Sequence, residues 1–457
     1  YVAVKTRQQV AAAGGEVTVD FYLINEKNVR GKHQLKISVT DSQGNITEVG
    51  TYETEAAGGE VYGQLLVKDV KIPVPAAGGL CRIQAKLCKE NSVVTTGYDD
   101  ILSVNLASNM LDGKGAVWED GNALQNFLKG KTKEAVAAYE DNLGKLDWIM
   151  VARPPKKDQL TMVPMEALRS ADGKPGLDVV YYEDMEFQKE VYHEVAKVVN
   201  LSAIEGATPS PFVYMLDGYG IKWSGKILPS VSGEYTIIPQ SNDRSMIEVF
   251  VNGKKIYEIT RKKEHLGDGK VYLEGGKSAD IEIRFRHPRS NARCRLDWAV
   301  PNDKMPDAQR LMERAVNDGT KIFIIQSADE WSEFIAANSK AVFKDKFFVG
   351  TNWLGGVMFN KPHDIFKELP VGNALNWPYQ ALIHTGVERM GLVMEGEELL
   401  VGAYHTYPMA IGTAMGIVPM GKGSVLFSTL DIYGNIINDS AAGLVAKKLI
   451  FNMIDFK

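Results

Sequence analysis

The hydrophobic pattern at the start of the chain has a period of two. Residues 1–106 alternate apolar and polar positions in runs such as EVTVDFYLIN and HQLKISVTDSQGN, and glycine-rich turns separate these runs. Such alternation indicates short strands that bury one face only. It predicts an all-β immunoglobulin-like sandwich over residues 1–108.

The pattern changes near residue 110. The apolar strands predicted there are GAVWED, LDWIMVARPP, KIFIIQ and GSVLFSTLD. The predicted helices are DAQRLMERAVNDG, ADEWSEFIAAN and SAAGLVAKKLIFNMI, and NALQNFLKGKTKEAVAAYEDNLGK is also predicted to be rich in helix. Apolar strands that alternate with helices are typical of a parallel sheet covered on both faces. We therefore predict a doubly wound α/β domain of flavodoxin type, built from residues 109–174 plus 302–457.

Residues 175–301 interrupt the α/β pattern with a second all-β region. The stretch WSGKILPSVSGEYTIIPQSNDRSMIEVFVNG alternates apolar and polar residues, with turns at Ser232-Gly233 and Asn252-Gly253. Its flanks, GLDVVYYE and RLDWAVP, should lie side by side because insertions enter loops whose ends are close. We predict an inserted all-β barrel.

Charge and composition exclude several classes of partner. The net charge of −5 argues against nucleic acid, because proteins that bind it usually carry a basic face. The basic run RKKEH at 261–265 is predicted to be a solvated hairpin loop. No stretch of 18 or more apolar residues occurs, so no membrane span is expected.

Neither the cysteines nor the first residue indicates a particular chemistry. Cys81, Cys88 and Cys294 are too few for a disulfide scaffold and have no metal-binding spacing. Tyr1 already opens a strand pattern and no signal peptide precedes it. We expect the chain to be part of a longer protein.

Two patterns suggest catalysis. Asn25-Glu26 is similar to the pair that carries the acid in many retaining glycosidases, but a second carboxylate about 5 Å away and a rigid scaffold are required. A turn is therefore predicted there. In the α/β region, carboxylates near strand ends, namely Glu119, Asp120 and Asp431, are the candidates for a site at the carboxyl edge of the sheet.

In the inserted region, Asn242-Asp243 lies in a turn between two strands. Adjacent oxygen side chains there can bind Ca²⁺ or sugar hydroxyls, or can simply form an Asx turn. Tyr219, in DGYG, is expected to be exposed, and Arg244 follows the turn. We select Tyr219, Asn242, Asp243 and Arg244 as carbohydrate-binding candidates. Trp223, Tyr235 and Trp298 are predicted to be core aromatics.

The motifs GLDVVYYED, KWSGKILPSVSGEYTI, SNDRSMIEVFVNGKKI and KSADIEIRFRH with LDWAVP resemble the protective-antigen-type (PA-fourteen) domain. The resemblance implies a β-barrel that commonly binds carbohydrate. Some members hold Ca²⁺ with two neighbouring aspartates. The corresponding place reads Asn242-Asp243 here, so Asp243 is the one candidate calcium ligand.

The α/β region resembles glutamine-amidotransferase-like domains through LDWIMVA, LMERAVNDGTKIFII, GVMFNKPHDIFKELP with NWPYQ, and GKGSVLFSTLD. It lacks the catalytic cysteine of true amidotransferases, which implies a structural or oligomerising role. The domain order is similar to the C-terminal region of bacterial family-two glycoside hydrolases, the β-galactosidase-like enzymes.

This second resemblance implies a non-catalytic, carbohydrate-binding and architectural region whose catalytic domains lie upstream in the same chain. It also implies a periplasmic, cell-surface or secreted location and a carbohydrate partner. Two alternatives stay open. One is a hydrolase with its own site on the α/β domain, and the other is a purely structural module for homo-oligomer formation.

Overall fold

The computed structural model describes residues 1–90, 92–106, 110–155, 160–202, 218–241, 244–288, 292–301, 306–349, 356–384, 390–406, 409–437 and 441–456. The chain forms two compact units. Unit 1 comprises Tyr1–Asn109, Lys361–Tyr379 and Asp439–Lys457, and unit 2 comprises Met110–Asn360 and Gln380–Asn438. The protein is multidomain, and it is made mostly of β-structure, with 52% of its residues in strands.

The described residues of unit 1 form the strands β1 (Val2–Thr6), β2 (Val10–Ala12), β3 (Glu16–Ile24), β4 (Arg30–Thr40), β5 (Ile46–Ala57), β6 (Gly63–Pro73), β7 (Gly79–Lys89) and β8 (Ser92–Val104). They form one sheet in the order β1-β3-β6 and another in the order β2-β8-β7-β4-β5. Inward residues of both sheets, such as Phe21 and Ile37, share one buried core. The predicted sandwich is thus two packed sheets, and its immunoglobulin class stays a prediction.

The three cysteines are free and buried. Burial raises the pKa of the Cys81 and Cys294 thiols, and the thiolate is the reactive form. We expect almost no reaction with an aromatic disulfide reagent in the folded protein and reaction of all three thiols in urea. Rapid modification of Cys294 in the native protein would contradict this burial.

Unit 2 opens with β9 (Gly115–Glu119), α1 (Ala123–Leu128), β10 (Ala137–Ala138) and β11 (Trp148–Ala152). Strand β9 pairs in parallel with β10 and with β11. The prediction of a helix-rich segment was wrong beyond α1. Gly130, with φ +73°, turns the chain after the helix, and the N–H of Tyr139 binds the carbonyl of Val117, which draws this segment to the edge of the sheet.

An all-β insert follows. Its strands are β12 (Thr161–Met162), β13 (Leu168–Arg169), β14 (Leu177–Tyr182), β15 (Glu190–Ala196), β16 (Asn200–Ser202), β17 (Tyr219–Ile227), β18 (Gly233–Ser241), β19 (Met246–Val251), β20 (Lys254–Ile259), β21 (His265–Leu266), β22 (Lys270–Leu273), β23 (Ala279–His287) and β24 (Arg293–Ala299). The turns predicted at Ser232-Gly233, Asn252-Gly253 and 261–265 each separate two of these strands.

The insert is a sandwich in the part of the chain that the structure describes. One sheet has the order β12-β24-β18-β22 and the other β15-β14-β17-β23-β19-β20-β21, with β16 on β24 and β13 on β17. The predicted all-β barrel is a sandwich here, because its strands pair into two separate sheets that share one core. Trp223, Tyr235 and Trp298 are buried in that core, as predicted.

The remaining elements are α2 (Ala308–Asp318), β25 (Lys321–Ile324), α3 (Ala328–Ala337), β26 (Val342–Phe348), β27 (Gly356–Asn360), α4 (Gln380–His384), β28 (Met390–Glu395), β29 (Glu398–His405), β30 (Ala410–Met420), β31 (Gly423–Ser428), α5 (Ile432–Ile436) and α6 (Ala441–Asp455). The largest sheet runs β10-β9-β11-β25-β31-β30-β28-β26, and β29 pairs with β27 and β30. Five neighbouring strands of this sheet, β10, β9, β11, β25 and β31, are parallel. Their carboxyl ends therefore lie at one edge of the sheet.

Helix α6 and residues 361–379 belong to unit 1, whereas the sequence pattern places both in the α/β domain. Among the described residues, no helix has the length and apolar character needed to cross a membrane.

Candidate functional site

The carboxyl edge of the parallel strands carries the three carboxylates selected from the sequence, of which Glu119 and Asp120 line one cleft. Glu119 is the last residue of β9 and Asp120 follows it, while Asp431 lies between β31 and α5. The hydroxyl of Tyr433, on α5, donates to Glu119 Oε2 at 2.9 Å. This hydrogen bond connects the segments that follow β9 and β31.

Glu119 holds the turn between β9 and α1. Its Oε2 accepts the N–H of Leu124 at 3.0 Å and its Oε1 accepts the N–H of Gln125 at 3.1 Å. Burial raises the pKa of the Glu119 carboxyl, although these hydrogen bonds act in the opposite direction. Both oxygens are engaged with the protein, which is the arrangement of a structural carboxylate.

Asp120 forms a buried ion pair. Its Oδ1 lies 2.5 Å from an Nη of Arg153, and its Oδ2 accepts the hydroxyl of Thr161 at 2.5 Å. The guanidinium of Arg153 also lies 5.6 Å from the ring of Trp118. Asp431 caps α5 by accepting the N–H of Gly434 at 3.1 Å. Each candidate carboxylate therefore has a defined structural partner.

A cleft of about 600 Å³ opens beside these groups. Trp118 and Tyr139 form its aromatic side, with ring centroids 5.7 Å apart. The insert contributes Ser230, Val231 and Val300 to the lining. The lining residues are Trp118, Glu119, Asp120, Ala138, Tyr139, Glu140, Asp141, Asn142, Arg153, Ser230, Val231, Val300 and Pro306.

Arg314, on α2, fixes the segment that carries the rim of this cleft. It donates to the hydroxyl of Tyr139 at 3.2 Å and to the carbonyls of Asp141 and Leu143 at 3.0 and 2.6 Å. The carboxylate of Asp141 accepts the N–H of Asp307, which caps α2. The rim is thus held on a regular helix, and rigid support of this kind preorganises a ligand site.

The carbohydrate candidates of the insert have different outcomes. Tyr219 is fully buried at the start of β17, so its expected exposure was wrong. The alternation of β17 directs Tyr219 to the core together with Ile221 and Trp223, and its ring packs near Phe285. Burial raises the pKa of its hydroxyl, which has no hydrogen-bond partner among the described residues.

Arg244 lies at the surface two residues before β19 begins, with φ +79°. Asn242 and Asp243 fall outside the described residues, so their roles, and the calcium role of Asp243, stay predictions. Beneath Arg244, the hydroxyl of Ser245 lies 3.2 Å from Nδ1 of the buried His287. We name this end of the insert, where β17 and β19 begin and β23 ends, the loop end.

A further feature of the loop end was missed in the sequence. The carboxylate of Asp184 accepts the N–H groups of Glu186, Gln188 and Lys189, and Phe187 between them has φ +61°. The ring of Phe187 lies 4.6 Å from the guanidinium of Arg286. A positive φ is rare for a bulky residue, and such strained residues cluster at functional sites. The sequence does not show this feature of Phe187, because it is a property of the backbone conformation.

The glycosidase-like pair has the predicted turn structure. The side chain of Asn25 donates to the carbonyl of Val29 at 2.9 Å and accepts its N–H at 2.8 Å. Glu26 accepts the hydroxyl of Tyr62 at 3.2 Å. Both residues thus stabilise a surface loop of unit 1.

Comparisons with known proteins match the segment that contains the insert. The PA14 domain family matches residues 173–310. The anti-sigma-I factor RsgI3 of Acetivibrio thermocellus is 27% identical over 127 residues, which cover 27% of this chain and 19% of that protein. The chain thus spans less than a fifth of this curated relative.

Two solved structures are similar at low identity. The β-glucosidase from Kluyveromyces marxianus has a TM-score of 0.34 and 12% identity over 50% of this chain and 30% of that chain. The PA14 sugar-binding domain from an RTX adhesin has a TM-score of 0.20 and 15% identity over 27% of this chain and 88% of that chain. The segment that interrupts the α/β pattern is also the segment that matches the PA14 domain.

Proposed function

We propose that this chain is a carbohydrate-binding and architectural region of a larger glycoside hydrolase, of the family-two, β-galactosidase-like type. The observation that carries the proposal is the match of residues 173–310 to the PA14 domain, together with the resemblance that implies carbohydrate binding. The catalytic carboxylates of the parent enzyme are proposed to lie outside this chain. A periplasmic, cell-surface or secreted location belongs to the same proposal.

The side-chain contacts of the α/β region support a non-catalytic role. A general acid or base needs a carboxyl group that can reach the substrate. Glu119 binds backbone N–H groups, Asp120 is paired with Arg153, and Asp431 caps α5. We therefore favour binding over hydrolysis by this region itself.

The proposed domains follow the sequence pattern: 1–108, an immunoglobulin-like sandwich; 109–174 plus 302–457, an amidotransferase-like domain; and 175–301, the insert. The parallel strands β9, β11, β25 and β31 support the second assignment. All three cysteines lie outside residues 109–174 and 302–457, so this domain would serve structure or assembly.

We place the proposed sugar contact at the loop end of the insert. Arg244 is exposed there, and Asn242 and Asp243 precede it in the chain. Amide, carboxylate and guanidinium groups bind sugar hydroxyls through hydrogen bonds. Asp243 would contribute either directly or by holding calcium.

Replacement of Arg244 by alanine is expected to weaken oligosaccharide binding about fivefold, the usual effect of losing one exposed hydrogen bond. A glycan array on the full chain identifies the ligand, and calorimetric titration measures its affinity. The matched control is Lys254→Ala, which removes an exposed cation at the opposite end of β19 and β20. Equal weakening in both variants, or no glycan bound by the wild-type chain, would contradict the proposal.

A further inference from the structure

The cleft at the carboxyl edge of the parallel strands has the position of a ligand site. Ligands of open α/β sheets bind outside the carboxyl ends of parallel strands, and small-molecule pockets often lie between domains. This cleft meets the first condition, because β9 and β11 end at it, and Ser230, Val231 and Val300 of the insert also line it. Its volume of about 600 Å³ lies within the usual range for small ligands.

Contacts within the protein hold the side chains of the cleft in place. Arg153 is 7% exposed, and its ion pair with Asp120 fixes both groups. Tyr139 is 4% exposed and is held by Arg314. A ligand that enters therefore meets polar groups whose orientation requires little further loss of entropy.

The charge of the cleft selects the class of ligand. Its described lining contains four carboxylates, from Glu119, Asp120, Glu140 and Asp141, and the guanidinium of Arg153, which is paired with Asp120. This surplus of acceptors repels anions and favours ligands rich in hydrogen-bond donors. Trp118 and Tyr139 are 3% and 4% exposed, so they add only a small apolar surface to this polar lining.

We propose that this cleft is a second ligand site that takes a saccharide with free hydroxyl donors and no negative charge. The site is separate from the loop end of the insert, and the inference does not depend on sugar binding there. Glu140 and Asn142, which are exposed at the rim, would contact the sugar hydroxyls.

Val231→Trp tests the site by filling it. Val231 is 40% exposed and lines the cleft, and the hydroxyl of Tyr235 binds its backbone rather than its side chain. The turn should therefore keep its conformation. The matched control is Val195→Trp, because Val195 is 37% exposed on β15 and is not part of the cleft lining.

The binding experiment uses the full chain and a glycan array that contains neutral and glucuronate-bearing oligosaccharides, followed by calorimetric titration of the neutral glycans that bind. We expect Val231→Trp to weaken binding of at least one neutral glycan by about tenfold or more. Val195→Trp should bind that glycan as the wild type does, whereas any weakening in Arg244→Ala is assigned to the separate site at the loop end. Glu140→Gln should weaken it about fivefold, and Glu134→Gln, an exposed control outside the cleft, should not.

Three results would overturn the proposal. One is that every bound neutral glycan has equal affinity for Val231→Trp and Val195→Trp. Another is that glucuronate-bearing glycans bind the wild-type chain and no longer bind Val231→Trp, because that result would mean that the cleft accepts anions. The third is that no neutral glycan binds the wild-type chain. Loss of binding in Arg244→Ala with no change in Val231→Trp overturns the cleft site and leaves the function proposed for the insert intact.

Discussion

Replacement of Asp120 by alanine is expected to lower the free energy of unfolding of unit 2 by about 3–5 kcal/mol. The side chains of Asp120 and Arg153 are 11% and 9% exposed, and removal of the carboxylate leaves the guanidinium in a poorly hydrated place. The hydroxyl of Thr161 loses its acceptor in the same step. Urea unfolding followed by tryptophan fluorescence measures the effect, because six of the seven tryptophans lie in unit 2.

The matched control for this prediction is Asp112→Ala. Asp112 pairs with Lys133 at 2.5 Å, but their side chains are 77% and 60% exposed. An exposed pair of this kind contributes at most about 1 kcal/mol. A double variant, Asp120→Leu with Arg153→Met, should regain much of the lost stability, because apolar replacement of a buried ion pair is often close to neutral. Similar losses in Asp120→Ala and Asp112→Ala would show that the ion pair of Asp120 is not buried in solution.

The pattern of apolar residues predicts most elements of the fold, because burial on one face or on both leaves a direct trace in the sequence. The strands at 321–324 and 423–428 and the helices at 308–318, 328–337 and 441–455 lie where the pattern places them. The segment after α1 does not follow the pattern. Its many alanine, glutamate and lysine residues predict a helix, which the structure does not form there. Contacts with the edge of the sheet decide its structure instead.

The candidate site is only partly predictable. The sequence shows that Glu119, Asp120 and Asp431 lie near strand ends, and the rule for parallel sheets brings them to one edge. It does not show their partners, since Arg153, Thr161 and Tyr433 lie between 33 and 314 positions away along the chain. For Tyr219, two sequence signals disagree. The preceding glycine suggests an exposed loop, whereas the period-two pattern that begins at Tyr219 predicts a buried strand residue, as the structure has it.

Helix α6 shows why helix existence is easier to predict than helix placement. Its continuous apolar residues predict a buried helix but do not specify which core covers it. In the structure, Lys448 binds Glu368 at 2.6 Å and the carbonyl of Asn105 at 3.2 Å. The amide of Asn452 binds the carbonyls of Ile365 and Lys367. All these partners belong to unit 1, and none of them is near α6 in the sequence.

Replacement of Leu449 by alanine is therefore expected to destabilise unit 1 by about 2–5 kcal/mol, the usual cost of a cavity at a fully buried leucine. Leu449 is 0% exposed, whereas Leu444 on the same helix is half-buried, so Leu444→Ala should cost clearly less. Scanning calorimetry should show a lower transition for unit 1. The unfolding of unit 2, followed by tryptophan fluorescence, should not change.

The opposite result distinguishes the two assignments of α6. Leu449→Ala could instead lower the stability of unit 2, measured by fluorescence, and leave the calorimetric transition temperature of unit 1 unchanged. In that case α6 completes the α/β domain, as the sequence pattern alone predicts. If the transition of unit 1 falls, α6 completes the core beside the N-terminal sandwich. Because a cavity destabilises the core in which it lies, one substitution and its Leu444 control decide between the two domain boundaries.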